Sequence, residues 1–90
     1  MNELTSRQSN LLRVMDDEFR TALELATLLY DDRSPKTVHL VHQTAGSLVE
    51  LGLAERVKKY GPDRRAAIKR LVWYRTTPEG EETKSHGVAR

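Results

Sequence analysis

A run of polar side chains in the middle of the chain has the residue types that bind nucleic acid. Glutamine can form two hydrogen bonds with the edge of adenine, and lysine or threonine can reach a base or a phosphate. Histidine can donate to phosphate or to guanine, and an outward leucine suits a thymine methyl group or a partner protein. The candidate residues are Ser34, Lys36, Thr37, His39, Leu40, His42 and Gln43. The alternative interpretation is that they form the solvated face of a core helix.

The same residues give little support to a metal site or to catalysis. His39 and His42 are three residues apart and could share a metal ion, but zinc usually takes three or four protein ligands and the chain has no cysteine. The sequence also contains no glycine-rich phosphate loop, nucleophile motif or paired carboxylates on one face. We therefore expect neither a metal nor a cofactor, and we expect that the protein is not an enzyme.

Positive charge is concentrated in the twenty residues from Arg56 to Arg75. This segment has eight basic side chains and one acidic side chain, a net charge of +7, whereas the remaining seventy residues have a net charge of −5. One basic face is what a polyanion requires. The candidates for contacts with phosphates and the minor groove are Lys58, Lys59, Arg64, Arg65, Lys69 and Arg70. The alternative is a charged hairpin that keeps a sheet edge soluble.

The elements that must position these residues can be read from caps and hydrophobic periodicity. Ser34 and Pro35 are typical of a helix start, an apolar stripe follows at helical spacing, and Gly52 predicts a left-handed stop. Two T-x-x-Q/E patterns predict capping boxes for two earlier helices. After Gly52 the pattern indicates two strands joined by a turn, and Pro78 can open a last helical turn. The predicted ranges are helices at 6–16, 21–30 and 34–51 and strands at 53–59 and 67–76.

These elements predict an α+β fold with a three-helix core. We expect Phe19 on the core face of the first helix, and Trp73 and Tyr74 in the core at the base of the hairpin. Residues 1–82 are predicted to form one domain and residues 83–90 a disordered tail. No apolar run approaches the ~20 residues that a membrane span requires, so we expect a cytoplasmic protein that does not contact membranes.

The order of three helices and then a two-stranded β-hairpin is that of a winged helix-turn-helix, and four segments resemble MarR-like transcriptional regulators. ELATLL at 24–29 resembles the family's first helix-turn-helix member, and LVELGLAERV at 48–57 resembles the end of its recognition helix and its first wing strand. GPDRRA at 61–66 is similar to its wing tip, and YRTTPEGEE at 74–82 is similar to the segment after the wing. The resemblance implies sequence-specific binding to double-stranded DNA. Carried over by position, the matching residues are Thr37, Leu40, His42, Gln43, Asp63, Arg64 and Arg65.

The chain departs from that family in its length. MarR-like proteins dimerise through long terminal helices, and neither end of this chain supplies one, so a small-molecule effector is not expected either. A small homodimeric repressor module, or a winged domain of a phage or other mobile element, suits 90 residues better. The alternative function is a winged-helix module for protein–protein interaction, acting as an assembly factor or as an inhibitor of a host protein.

Overall fold

A computed structural model describes residues 4–60 and 70–84. Within these ranges the chain has the predicted mixed α+β composition, with four helices and a small antiparallel sheet. In chain order the elements are α1 (Ser6–Val14), β1 (Arg20–Thr21), α2 (Ala22–Tyr30), α3 (Pro35–Glu50), β2 (Ala54–Tyr60), β3 (Arg70–Thr76) and α4 (Pro78–Thr83). None of these helices has the length and apolar character that crossing a membrane would require.

Both predicted capping boxes are confirmed. The Thr5 hydroxyl accepts from the backbone N–H of Gln8, whose side chain accepts from the Thr5 backbone N–H, and Thr21 and Glu24 form the same reciprocal pair. Each box satisfies two backbone donors that the helix itself leaves without partners. α1 is shorter than predicted because Met15 already has extended backbone angles, φ −82° and ψ 155°.

The start and the end of α3 are also as predicted. Ser34 is the N-cap, and its hydroxyl accepts from the backbone N–H of Thr37. At the other end Gly52 has φ 78°, a left-handed conformation that glycine adopts without steric cost. The N–H of Gly52 donates to Val49 O and the N–H of Leu53 donates to Leu48 O, both at 3.0 Å. This paired C-terminal bonding turns the chain directly from α3 into β2.

The sheet has three strands in the order β1-β3-β2, so the two-stranded prediction was incomplete. β3 is central and pairs antiparallel with both neighbours, with Arg56 opposite Tyr74 in β2 and Arg20 opposite Tyr74 in β1. β1 was missed because two residues are too few to show alternation, and they directly precede the cap of α2. β2 begins one residue later than predicted and continues through Tyr60, which the sequence placed in the turn, because Tyr60 pairs with Arg70 of β3. The rest of the predicted turn, at 61–63, and the predicted strand start at 67–69 lie outside the described residues.

The core lies between the first three helices and one face of the sheet. Its buried apolar residues are Leu11, Leu12, Met15, Ala22, Leu25, Ala26, Val41, Ala45, Leu48, Ala54 and Tyr74. Successive strand residues face opposite sides, so Tyr74 is buried as predicted while Trp73 is half-buried on the other face, outside this cluster. Phe19 also lies outside the buried cluster, because α1 ends before it and the Arg75 guanidinium lies over its ring at 4.5 Å.

α4 packs on the corner between α3 and β2. The N–H of Thr77 donates to Leu53 O at 3.1 Å, and the Thr77 hydroxyl donates to Gly52 O at 2.7 Å. Gly80 is buried against the same corner, where a Cβ atom would lie 1.9 Å from Leu53 O. The absence of a side chain at Gly80 therefore allows the approach that fixes the start of β2.

Candidate functional site

The outer face of α3 presents polar side chains, as the sequence predicted. Lys36, His39 and Gln43 are exposed, and Leu40 is half-buried beside them. Leu40 and Gln43 line one side of a shallow groove whose other side is the start of α1. Gln8 and Ser47 also line this groove, and the side-chain amide of Gln8 donates to the Ser47 hydroxyl at 2.9 Å. This face is therefore a helix surface bordered by α1 and available to a ligand.

The two hydroxyl residues at the start of α3 are held within the protein. The Ser34 hydroxyl donates to the Thr37 hydroxyl at 3.1 Å, and the Thr37 hydroxyl donates to the Asp32 carboxylate at 2.6 Å. Asp32 also accepts from the Ser34 backbone N–H at 2.9 Å. These bonds, the one from Thr37 above all, lower the pKa of Asp32. Ser34 and Thr37 thus stabilise the start of α3, and the Asp32 carboxylate lies next to them.

His42 faces the sheet and is only partly exposed. Its Nδ1 lies 2.8 Å from the hydroxyl oxygen of Tyr74 in β3, and the two rings meet edge to face with centroids 5.7 Å apart. Burial, and after it the charge of His39, lowers the pKa of His42, so the ring is neutral at pH 7. The candidate residues of α3 therefore divide into an exposed set, a capping pair, and one histidine in contact with the hairpin.

Arg56 joins the first hairpin strand to α3. Its Nη1 lies 3.8 Å from the point where a Cβ atom of Gly46 would be, and its guanidinium is near enough to the Tyr74 hydroxyl to favour the ionised form, although burial has the larger effect and raises the pKa of Tyr74. Arg56 was not among the candidate residues, although its charge was counted. No local signal in the sequence identifies it, because its position beside α3 depends on how β2 packs against the helix, and a Cβ atom at Gly46 would be only in ordinary contact with it.

The other basic candidates are only partly described. Lys58 is exposed in β2, two residues after Arg56 and on the same face of the strand. Lys59 and Arg70 belong to the paired strands, opposite Leu71 and Tyr60 respectively. The predicted contacts of Asp63, Arg64, Arg65 and Lys69 lie outside the described residues.

Among the described residues, no group of three or more His, Cys, Asp or Glu side chains is placed to bind a metal ion. Comparison with protein-family models, with curated proteins and with solved structures found no match to this chain. The functional interpretation consequently depends on the geometry of the residues themselves: an exposed polar face on α3, with an arginine from β2 lying beside it.

Proposed function

We propose that the protein binds double-stranded DNA sequence-specifically and acts as a small transcriptional repressor. The observation that carries this proposal is the position of Arg56, whose Nη1 lies 3.8 Å from the point where a Cβ atom of Gly46 would be, because it places the basic strand beside the polar face of α3. A helix with hydrogen-bonding side chains can enter the major groove, while basic side chains beside it meet the phosphates.

In this proposal the fold is a winged helix-turn-helix. α2 and α3 form the helix-turn-helix, α3 is the recognition helix, and β2 and β3 form the wing. The element order and the resemblance to MarR-like regulators support this assignment. β1 adds a short third strand on the side of β3 away from β2, so the hairpin is anchored along one edge.

The three exposed residues of α3 are proposed to have different roles. Gln43 is suited to a paired contact with adenine, and Lys36 and His39 can donate to guanine or to phosphate. Ser34 and Thr37 act mainly through the helix cap, since their hydroxyls are already bonded within the protein. Arg56 and Lys58 neutralise phosphates next to the helix, and the basic residues at 64–65 extend that contact toward the minor groove.

The test is selection of duplexes from a random pool, followed by binding measurements with variants. The double variant Lys36→Ala, Gln43→Ala should bind its selected duplex at least tenfold more weakly, because each good base contact contributes about 1–3 kcal/mol of discrimination. Arg13→Ala removes a charge from α1 and serves as the matched control for Lys36. Equal losses in the double variant and the control would contradict the proposed role of α3. On a palindromic site, a homodimer should protect two half-sites about one helical turn apart.

A protein–protein interaction module is the second candidate, and one surface favours it. Leu23 and Leu28 of α2 are 38% and 56% exposed, and they line an open groove of about 320 Å³ together with Arg20 and Arg33. Exposed apolar patches often mark binding surfaces. This candidate predicts that duplex DNA is not bound at low salt and that Leu28→Asp abolishes co-purification of a partner.

A further inference from the structure

The contact between His42 and the hairpin determines which nitrogen of the histidine carries its proton. Tyr74 is 3% exposed, and burial raises the pKa of its hydroxyl, which is therefore protonated at neutral pH. That hydroxyl has one proton to donate and can accept from two donors. Among the described residues, its polar neighbours are Nδ1 of His42, at 2.8 Å, and the guanidinium of Arg56.

Donor counting fixes the direction of the hydrogen bond between Tyr74 and His42. A guanidinium has only donors, so the neighbouring Arg56 cannot accept the Tyr74 proton. The Tyr74 proton must then go to an acceptor, because a buried hydroxyl without one loses about 1–3 kcal/mol. Within the part of the chain that the structure describes, Nδ1 of His42 is the acceptor within reach, and it can accept only when it carries no proton. The neutral His42 ring consequently carries its proton on Nε2.

We propose that Tyr74 is a positioning residue that fixes His42 as the Nε2–H tautomer, so that α3 offers a preset hydrogen-bond donor to an acceptor on a guanine edge. The inference rests on the proposed DNA-binding function. His42 lies on the same helix as Lys36, His39 and Gln43, on the side of α3 next to the hairpin. Nε2 is the ring nitrogen that Tyr74 leaves available, and guanine presents N7 and O6 as acceptors in the major groove.

This arrangement also links the proposed wing to the proposed recognition helix. Arg56 comes from β2, Tyr74 from β3 and His42 from α3, so a movement of the hairpin would alter the donor on the helix. A protonated His42 would place its new N–H against the donating hydroxyl of Tyr74 and near the charges of Arg56 and His39. Burial of the ring, and after it the charge of His39, favours the neutral ring over the imidazolium and lowers the pKa of His42.

The tautomer is tested by nitrogen NMR on the full-length protein at pH 7.5, with no DNA present. Long-range ¹H–¹⁵N spectra should show an unprotonated Nδ1 and a protonated Nε2 for His42, whereas the opposite pattern would overturn the proposal. Tyr74→Phe keeps the ring and removes the hydroxyl. The variant should shift His42 toward a mixture of tautomers, and an unchanged spectrum would show that Tyr74 does not set the tautomer. The dispersed signals of the core residues report whether the variant is folded.

The base contact is tested with the selected duplex and its single-base variants. Tyr74→Phe and His42→Asn should each bind the selected duplex about five- to tenfold more weakly than the wild-type protein. On a duplex in which the contacted guanine is substituted, the variants and the wild-type protein should bind with equal affinity. His42→Gln places an amide donor near the position of Nε2 and should retain most of the affinity. A uniform loss across all duplexes would overturn the base contact. If the wild-type protein binds no duplex, both the proposed function and the base contact fail, while the NMR result still decides the tautomer.

Discussion

Gly80→Ala should destabilise the protein substantially, because α4 is in contact with the backbone of the α3–β2 corner. The new Cβ atom would lie 1.9 Å from Leu53 O, and reaching the 3.4 Å of an ordinary contact requires a separation larger by about 1.5 Å. A movement of that size stretches the bonds from Thr77 to Leu53 O and to Gly52 O, now 3.1 and 2.7 Å. Each such bond contributes about 0.5–1.5 kcal/mol.

The magnitude follows from these opposing effects. Overpacking costs about 1–3 kcal/mol and the strained bonds add to it, whereas alanine gains about 1 kcal/mol over glycine as a helix residue. We expect a net loss of about 2–4 kcal/mol in the free energy of unfolding, out of the roughly 5–15 kcal/mol typical of a small domain. With a urea slope of about 2 kcal/mol per molar, the midpoint should fall by about 1–2 M.

Urea unfolding followed by circular dichroism measures this difference, and Gly46→Ala is its matched control. Gly46 also lies in a helix, but its added Cβ would be 3.8 Å from Arg56 Nη1, an ordinary contact. That variant should be more stable than the wild type by about 0.5–1 kcal/mol. If Gly80→Ala unfolds at the same urea concentration as the wild type, the described packing of α4 on Leu53 is refuted.

Three further predictions concern caps and titration. Thr21→Ala should lower the free energy of unfolding by about 1 kcal/mol, because it removes the capping box of α2. The control Thr27→Ala, in the same helix, should lower it much less. Equal losses of the two variants in urea unfolding would contradict the role of the cap. The free energy of unfolding of the wild-type protein should fall as pH is lowered through 6.5, because the unfolded chain protonates His42 at a higher pH than the folded protein does. Urea titrations at pH 5–8 should show a weaker pH dependence for His42→Gln. The same pH dependence in both proteins would contradict the lowered pKa of His42. Asp32→Asn should lower the free energy of unfolding at pH 7, where the carboxylate with its lowered pKa is ionised. The same variant should bind duplex DNA more tightly, because it removes a negative charge beside α3. Weaker duplex binding would contradict the proposed position of DNA on α3.

Local signals in the sequence were sufficient to predict the helices and the turn into β2. Thr5, Thr21 and Ser34 act as caps, and Gly52 ends α3, because each depends on backbone groups within a few residues. β1 could not be predicted in this way, since its two residues become a strand only by pairing with β3. Long-range pairing also decides which faces of β3 are buried.

The candidate site was predictable as a helix face but not as an arrangement of contacts. The exposure of Lys36, His39 and Gln43 follows from their phase relative to the apolar stripe of α3. The contacts of His42 and Arg56 with Tyr74 depend on the strand register, which places Arg56 opposite Tyr74, and on the packing of α3 against the sheet. Periodicity within a single element does not contain that information.

The salt dependence of wild-type binding to a duplex tests the central claim most directly. If the helix face and the basic hairpin together neutralise about five phosphates, the logarithm of the association constant should fall against the logarithm of salt concentration with a slope of roughly −4 to −5. Arg64→Ala together with Arg65→Ala should reduce that slope by roughly two. Fluorescence anisotropy with a labelled selected duplex, from 50 to 300 mM NaCl, measures both values. Absence of binding at 50 mM NaCl, or a slope near zero, would contradict the account.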